Sequence, residues 1–322
     1  MSLSINNNAS SKVAIETLNA VQSDLSATQN VVSTGLKVST AADNAAAFGI
    51  AQQMQGNVSG QSAVNDGLSF AAQTVSSTAS AANQILSVLQ SVQDAVTSLG
   101  DNQGSPASLD QIGTQITQYL AQIDTIARNA TFNGVNLLAA GTADGKGMTT
   151  GTLNYVTGLQ GDISTVSGFA GSQIANWVTQ SVTGATSSPS GTTLTAILGL
   201  STGDTAGANP TGNVFETIGS GIATAYSGTS GVADMISQVQ AAIKAMTFVT
   251  STLGANTNMI MNMSTYGSTI SDNLTNGIGA LTDADMAAAS AKLTSLQTKQ
   301  QLAIKSLTIA NSQSQNILSM FQ

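Results

Sequence analysis

The 322-residue chain is long enough for two or three domains, yet only 7% of its residues are charged and 4% are aromatic. It contains no Cys and no His, which excludes disulfide frameworks, thiolate nucleophiles, imidazole bases and His-ligated zinc. Its net charge is −8 and its eight cations are scattered, so it lacks the dense basic face that nucleic-acid binding needs. Its apolar surface must come mainly from aliphatic residues, which suits long helices packed side by side.

The first predicted element is a helix near the N-terminus. Apolar or small residues recur at alternating spacings of three and four, which is the pattern of one buried helix face. These positions are Ala14, Leu18, Val21, Leu25, Thr28 and Val32. The pattern ends near Gly35, a residue type that is common just beyond a helix C-terminus. The helix has one apolar stripe and no local partner.

A second helix is predicted to open at Thr40, because Thr40 and Asp43 have the spacing of a capping box. Its later part carries a second apolar stripe, which Gly100 and Gly104 interrupt. The positions of this stripe are Val75, Thr78, Ala82, Ile85, Leu89, Val92, Val96 and Leu99.

A third helix is predicted to begin at Ser105-Pro106, a favourable N-cap followed by a favourable first position. One face of this helix is apolar and comprises Leu109, Ile112, Ile116, Tyr119, Ile123, Ile126 and Ala130. The segment TFNGVNLL (131–138) follows, and its Asn133-Gly134 pair predicts a hairpin-type turn.

The middle of the chain, residues 141–231, differs in composition from both flanks. It holds 18 of the 31 Gly and two of the three Pro, and Thr and Ser are abundant. Turn signals interrupt it too often for long helices. We therefore predict short strands, turns and a few helical turns in this segment.

A long helix is predicted over residues 232–281, where twelve of the fifteen positions of a continuous three–four spacing are apolar. A pattern of that length indicates a coiled coil. Asp283 and Asp285 then form the densest carboxylate pair in the chain. We interpret them as part of a capping box that opens at Thr282, rather than as a catalytic pair. A final apolar stripe continues from Met286 to Phe321.

The two ends of the chain are predicted to pair, because each terminal helix has an apolar stripe that nothing nearby in sequence can bury. The pairing covers one side of each helix. Small residues elsewhere on the last helix, such as Ala287, Ala288 and Ala291, would permit close approach by further helices. We expect those further helices to come from other copies of the chain. The fold class is therefore mainly α: a long antiparallel coiled-coil bundle built from both chain ends, with a Gly/Thr/Ser-rich, mixed or β-containing central insert.

Three stretches resemble bacterial flagellin. They are VVSTGLKVSTAADNAAAFGIAQQM (31–54), RNATFNGVNLL (128–138) and LTDADMAAASAKLTSLQTKQQLAIKSLTIANSQSQNILSMF (281–321). The resemblance covers residues 1–140 and 232–322 but not the middle segment, which is hypervariable in this family.

The resemblance implies a structural subunit of the flagellar filament, with no enzymatic activity, cofactor or metal. It implies an inner-tube helix at 1–42, an outer-tube helical domain from 43–140 and 232–281, an exposed insert at 141–231 and a second inner-tube helix at 282–322. It also implies a homo-oligomeric filament, and contacts with the flagellar export apparatus, a chaperone, and the filament cap and junction proteins.

Localisation is expected to follow from the same resemblance. The N-terminus lacks the basic and apolar segments of a secretory signal and no segment is apolar enough to insert into a membrane, which by itself would favour the cytoplasm. Members of this family instead leave the cell unfolded through the flagellum's own export channel. We therefore expect an extracellular location in the bacterial flagellum.

Two sets of residues carry these expectations. The subunit-packing seam comprises Leu18, Val21, Leu25, Val32, Leu293, Leu296, Leu307, Ile317 and Phe321. The residues that match the family's motifs are Gly35, Leu36, Lys37, Asp43, Asn44, Phe132, Asn133, Gly134, Asp283 and Asp285. Lys37 stands where the family usually has Arg, and Asn44 where it usually has Asp, so the expected contact between an Arg and a carboxylate would be weaker or shared differently.

Four other interpretations compete with this one, and the sequence argues against one of them outright. The chain could be a hook–filament junction protein, which shares the terminal architecture. Its middle segment could bind glycans or surfaces through Tyr155, Trp177 and Tyr226, although so few aromatic residues are more typical of a small core. A peptidase insert would need a His-bearing zinc motif, which this chain lacks. Lys292, Lys299 and Lys305 could also mark a membrane-surface helix, but charges that flank a helix bundle explain them more simply.

Overall fold

The computed structural model describes residues 8–102, 104–138, 150–169, 194–200, 215 and 231–319, without the side chains of residues 196 and 313–319. These ranges contain long helices at both chain ends and a small antiparallel sheet in the middle, which confirms the predicted fold class. The elements are α1 (Ala9–Thr34), α2 (Ala45–Asp101), α3 (Pro106–Asn129), β1 (Thr152–Val156), β2 (Ile163–Ser167), α4 (Leu194–Ile197), α5 (Gly231–Thr282) and α6 (Met286–Ser319).

The ends of α1 and α3 follow from local chemistry, as predicted. Gly35 has a left-handed backbone with φ of 72°, and its N–H donates to the carbonyl of Val31 at 2.9 Å, which closes the last turn of α1. Ser105 caps α3, with its side chain accepting from the N–H of Ser108, and Pro106 follows as the first helical residue.

The prediction that Thr282 is an N-cap is wrong. Thr282 is the last residue of α5, and its hydroxyl donates back to the carbonyl of Ile278 at 2.8 Å. Asp285 is the residue that caps α6, because its carboxylate accepts from the N–H groups of Ala287 and Ala288 at 2.9 and 3.1 Å. The helix therefore begins three residues later than the capping box predicted.

The prediction that Thr40 opens α2 is wrong for a similar reason. Asn44 is the capping residue, and its side-chain oxygen accepts from the N–H of Ala47 at 3.1 Å. Thr40 and Asp43 instead form a turn, in which the N–H of Asp43 donates to the carbonyl of Thr40.

The described chain divides into two compact units, residues 1–60 with 270–322 and residues 61–269. The second unit contains one continuous hydrophobic core. Its largest fully buried side chains lie on α2, α3 and α4 and in the loops around them. They are Leu68, Ile85, Leu89, Leu99, Ile116, Ile123, Leu137, Leu138, Leu194, Ile197 and Phe215. From α5, Met246, Val249, Leu253 and Ile260 complete this core.

The middle segment contributes directly to that core. Strands β1 and β2 pair antiparallel, with Tyr155 opposite Ser164 and Val156 opposite Ile163. One face of the hairpin is buried, including Leu153 and Tyr155. The predicted strands and helical turns are thus present in the described part of 141–231, and they pack against the long helices.

Asp124 joins α3 to the start of α4. Its two carboxylate oxygens accept from the N–H and the hydroxyl of Thr195, at 2.9 and 2.7 Å. Burial raises the pKa of Asp124, and these two hydrogen bonds oppose that rise because they favour the charged form. The contact fixes a short helix that has too few turns to be stable alone.

Candidate functional site

The terminal helices α1 and α6 pack along each other, as the apolar stripes predicted. From α1, Ala14, Leu25 and Thr28 are buried in this contact. From α6, the buried residues are Ala289, Leu296, Ala303 and Ala310. Because three of these four are alanines, the two helix backbones can approach closely.

The residues of the predicted subunit-packing seam that the structure describes lie on α1 and α6, and within the single chain they are buried or half-buried. Leu25 and Leu296 are buried, at 8% and 5% exposure. Leu18, Val21, Val32, Leu293 and Leu307 are half-buried. The side chain of Ile317 and the whole of Phe321 lie outside the described residues.

Polar contacts hold the free ends of the two helices in register. The side-chain amide of Asn8 donates to the carbonyl of Ala310 at 2.9 Å, and its oxygen accepts from the N–H of Ser11. The hydroxyl of Ser11 donates to the side-chain oxygen of Asn311 at 3.0 Å. One residue therefore caps α1 and ties it to α6.

At the opposite end, the two connectors that precede α2 and α6 pair through their backbones. We call residues 35–38 with 282–284 the connector pairing. The carbonyl of Thr282 accepts from the N–H groups of Lys37 and Val38 at 2.7 and 3.3 Å. The carbonyl of Gly35 accepts from the N–H of Ala284 at 2.9 Å. Leu36 and Asp283, both motif residues, thus lie opposite each other as an antiparallel bridge.

Lys37 and Asp43, which take the family's Arg and carboxylate positions, each have another partner. The ammonium of Lys37 donates to the carbonyl of Ala280 at 2.9 Å. A cation beside the last turn of α5 is favourable, because the carbonyl end of a helix carries partial negative charge. The side chain of Lys37 therefore adds one hydrogen bond to the backbone bonds of the connector pairing.

The carboxylate of Asp43 organises its own turn. One of its oxygens accepts from the backbone N–H and the hydroxyl of both Ser39 and Thr40, at 2.9 to 3.1 Å. These hydrogen bonds, with the N–H of Thr40 contributing most, lower the pKa of Asp43 from 3.8 because they favour the ionised form. Asp43 thereby shapes the chain between the connector pairing and the cap of α2.

A second apolar surface remains uncovered on the helix pair. On α1, Val13 is 62% exposed and Ile15 is also exposed. On α6, Leu302, Ile304 and Ile309 are exposed, and Ile309 is 68% accessible. These five residues, which we call the outer terminal face, flank the buried seam on both sides, because Val13 and Ile15, and likewise Leu302 and Ile304, lie about 200° apart around their helices. Exposed apolar side chains on both flanks of a paired seam leave apolar surface available for packing by further helices.

The turn that contains Phe132, Asn133 and Gly134 lies in the other unit and was also predicted. Phe132 and Val135 exchange two backbone hydrogen bonds of 2.9 Å, while Asn133 and Gly134 have φ of 47° and 82°. Two successive positive φ values are those of a type I′ hairpin turn. The ring of Phe132 contacts that of Phe70, with centroids 5.4 Å apart.

Sequence reasoning missed Asn136, which secures this turn. Its side-chain amide donates to the carbonyl of Ala127 at 2.8 Å, and its oxygen accepts from the N–H of Leu138 at 2.9 Å. It is 1% exposed, so an unmade hydrogen bond here would be costly. Its position two residues after an Asn-Gly turn was the only available signal.

The described residues offer little for the other interpretations. Tyr155 is buried, so it is not free to stack on a sugar, and Trp177 and Tyr226 lie outside the described residues. No group of three or more His, Cys, Asp or Glu that could hold a metal is found in the part of the chain that the structure describes. Within the same part, every helix is too short or too polar to cross a membrane.

Comparison with known proteins agrees with this architecture. Residues 5–143 match the profile of the bacterial flagellin N-terminal helical region, and residues 236–321 match that of the C-terminal helical region. The chain is 33% identical to Flagellin C of Rhizobium meliloti, with 99% of each chain covered. It is 32% identical to a flagellin of Brucella melitensis, again over 99% of each, and 31% identical to Flagellin FljK of Caulobacter vibrioides, over 99% and 98%. The chain belongs to the bacterial flagellin family.

Proposed function

We propose that the chain builds the flagellar filament through its paired terminal helices, and that the outer terminal face is where neighbouring subunits pack. Similarity to flagellins over nearly the whole chain supports a role as a structural subunit of the filament that drives swimming. The exposed outer terminal face carries the finer proposal. Burying these five large apolar side chains between subunits would be favourable, because it would remove their apolar surface from water.

The arrangement of the terminal pair suits repeated packing. The seam, the Asn8 contact and the connector pairing together satisfy the inner side of both helices. The outer terminal face can then be buried without breaking any of those contacts. We therefore propose residues 1–42 and 282–322 as the inner layer of the assembly, with 43–140 and 232–281 outside it and 141–231 outermost.

Export and location belong to the same proposal. We expect the chain to leave the cell through the flagellar export apparatus, with a chaperone before export and the filament cap and junction proteins at its destination. The proposal makes the chain extracellular and structural, without catalytic activity. Its support is membership of the flagellin family.

The outer terminal face can be tested with two substitutions at one position. Leu302→Ser removes most of the apolar surface of an exposed residue, so the isolated chain should remain folded. If Leu302 is buried between subunits, the change should raise the critical concentration for filament formation by about tenfold, as expected for losing most of a buried Leu. Sedimentation of filaments at graded protein concentrations measures this quantity.

The matched control is Leu302→Met, which keeps the apolar volume and should leave the critical concentration nearly unchanged. Equal critical concentrations for the Ser and Met variants would show that Leu302 faces water in the filament. That result would refute the outer terminal face as a subunit contact.

A further inference from the structure

The dipeptide Asn-Gly occurs twice in the chain, at Asn133-Gly134 and at Asn276-Gly277. Both asparagines are exposed to solvent. Asn is among the chemically labile residues, and most of all before Gly, because the backbone nitrogen of the Gly can attack the side-chain amide carbon without hindrance from a Cβ. The chain therefore holds the same reactive pair in two different structural settings.

The reaction is a deamidation. The nitrogen of Gly134 forms a bond to Cγ of Asn133, the bond from Cγ to the side-chain nitrogen breaks, and ammonia leaves with the proton that the attacking nitrogen loses. Water then opens the resulting succinimide ring at either of its carbonyls. One product is Asp, and the other is isoaspartate, in which the main chain runs through the former side chain. Water is the only co-reactant.

The pair at Asn276 lies inside α5, where this reaction is opposed. Ring closure requires the backbone dihedral ψ of the Asn to leave its helical value, which breaks the hydrogen-bond ladder of a helical turn. The helix is also packed at this point, since a Cβ added to Gly277 would meet the side chain of Met54 on α2. The local opening that the reaction needs is therefore costly here.

The pair at Asn133 forms the two central residues of a type I′ turn, with φ of 47° and 82°. Turning over the peptide group between them gives a type II′ turn, in which the first residue keeps a φ of about 60° but has a ψ of about −120°. Both turn types close the same hairpin. The two hydrogen bonds between Phe132 and Val135 are therefore compatible with either turn.

The type II′ form places the attacking nitrogen beside its target. A succinimide ring is nearly planar, so the nitrogen of Gly134 and the Cβ of Asn133 must lie on the same side of the Cα–C bond, and at a ψ of about −120° they do. This backbone region is costly for a residue with a Cβ, so the type II′ form is a minor state and the reaction through it is slow. The closing hydrogen bonds of the turn do not have to break.

We propose that Asn133 deamidates in the folded protein while Asn276 stays intact, so that the turn carries a slow, irreversible modification that marks the age of each copy. The inference goes beyond filament formation and does not depend on it. It assigns the turn a chemical role in addition to its structural one.

The modification changes both charge and chain length at the turn. Each product carries a new carboxylate, and isoaspartate also lengthens the main chain by a methylene group. A two-residue turn lengthened in this way cannot keep both hydrogen bonds between Phe132 and Val135, because loop length selects the turn type. Val135 also pairs with Thr150, which lies just before β1. Deamidation to isoaspartate therefore loosens the link between α3 and the hairpin.

Peptide mapping by mass spectrometry tests the proposal on the purified full-length chain, incubated at mildly alkaline pH in heavy-oxygen water. The mass gain at each Asn-Gly pair reports deamidation, and the incorporated heavy oxygen separates reaction in the intact protein from reaction during digestion. The same chain unfolded in urea is the reference, because neither pair is then held in a turn or a helix.

In the folded chain, Asn133 should deamidate at least about tenfold faster than Asn276, whereas in urea the two rates should agree within about threefold. An equal or faster rate at Asn276 in the folded chain would overturn the inference. So would an intact Asn133 in the folded chain under conditions in which the unfolded chain reacts readily.

Asn133→Gly is the matched variant, because Gly adopts the positive φ of this position and lacks the reactive side chain. After long incubation, hydrogen exchange at the amide of Val135, measured by NMR, should be several times faster in the natural chain than in fresh protein. The incubated variant should show no such change. Unchanged exchange in a natural chain that has formed isoaspartate would refute the loosening of the turn.

Discussion

Two aspartates show that local surroundings can shift the pKa of a carboxyl group in opposite directions. Asp43 is exposed and accepts four hydrogen bonds from Ser39 and Thr40, so its ionised form is favoured. Asp124 accepts two hydrogen bonds from Thr195 but lies in a buried position, and burial penalises its charge more than those bonds compensate. The same residue type therefore titrates on opposite sides of its usual pKa of 3.8 in one chain.

These shifts predict opposite pH dependences. Asp43 has a lowered pKa in the folded chain, so its stabilising contribution is present above pH 3.8 and is lost as the pH falls through its folded value. Asp124 has a raised pKa, so it favours folding below pH 3.8, and that contribution is lost as the pH rises through its folded value. Side-chain carboxyl chemical shifts measured by NMR across this range would show both.

Removing single donors provides the controls for these titrations. Ser39→Ala should raise the pKa of Asp43 toward 3.8, and Thr195→Val should raise the pKa of Asp124 further, since each change removes a bond to the charged form. An unchanged pKa of Asp43 in Ser39→Ala would show that the turn hydrogen bonds do not set its titration.

At the scale of the elements, the two connectors are joined by backbone groups, whereas side chains join the far ends of α1 and α6. In the connector pairing, Gly35 serves two purposes at once. Its left-handed backbone ends α1, and its carbonyl accepts from the N–H of Ala284. A residue with a Cβ pays about 1–2 kcal/mol to adopt that conformation.

Gly35→Ala is accordingly expected to loosen the connector pairing. Hydrogen exchange measured by NMR at the amides of Lys37 and Ala284 should become about five- to thirtyfold faster, the factor that corresponds to 1–2 kcal/mol. Gly49→Ala is the matched control, because Gly49 lies within α2 and an added Cβ there would meet nothing within 4 Å. That variant should stabilise α2 by about 0.5–1 kcal/mol and should not speed exchange at these two amides. Similar acceleration in both variants would argue against a special role for the φ of Gly35.

Helix ends also show where sequence patterns reach their limit. Gly35, Ser105-Pro106 and Asn133-Gly134 were predictable because each supplies a backbone conformation or a cap that few residues offer. Thr40 and Thr282 were assigned wrongly because Ser, Thr, Asn and Asp crowd those connectors, and any of them can accept from a helix N-terminus. The connector pairing determines which of these residues becomes the cap. Its hydrogen bonds are formed by backbone groups, so the pattern of side chains in the sequence does not reveal them.

At the scale of the whole molecule, described parts of the middle segment belong to the same hydrophobic core as the long helices. Composition separates 141–231 from its flanks, and it was expected to be an exposed insert. Its described parts nevertheless bury Leu153, Val166, Phe169 and Leu194 against the long helices. Periodicity predicted the helices because their stripes are long, but short strands that dock on them have no comparable signal.

Phe169→Ala tests whether this part of the middle segment belongs to the core. Phe169 is 3% exposed, so the truncation should reduce the free energy of unfolding of the soluble chain by about 3–5 kcal/mol. Urea unfolding followed by circular dichroism measures that change. The control is Ile163→Ala in the hairpin that precedes Phe169, at an exposed position, which should change the free energy of unfolding by no more than about 0.5 kcal/mol. A small effect of Phe169→Ala would mean that the packing of this residue is dispensable for the helical core.

The pairing of α1 with α6 also has a consequence for the chain during its synthesis. The amide of Asn8 bonds a carbonyl 302 residues further along the chain. At about 5–20 residues per second, a ribosome needs about 15–60 s to synthesise that separation. For most of that interval α1 has been made but its partner helix has not, so its apolar stripe has no cover from α6. Every newly made copy therefore passes through a stage in which its N-terminal helix can be bound by something other than its own C-terminus.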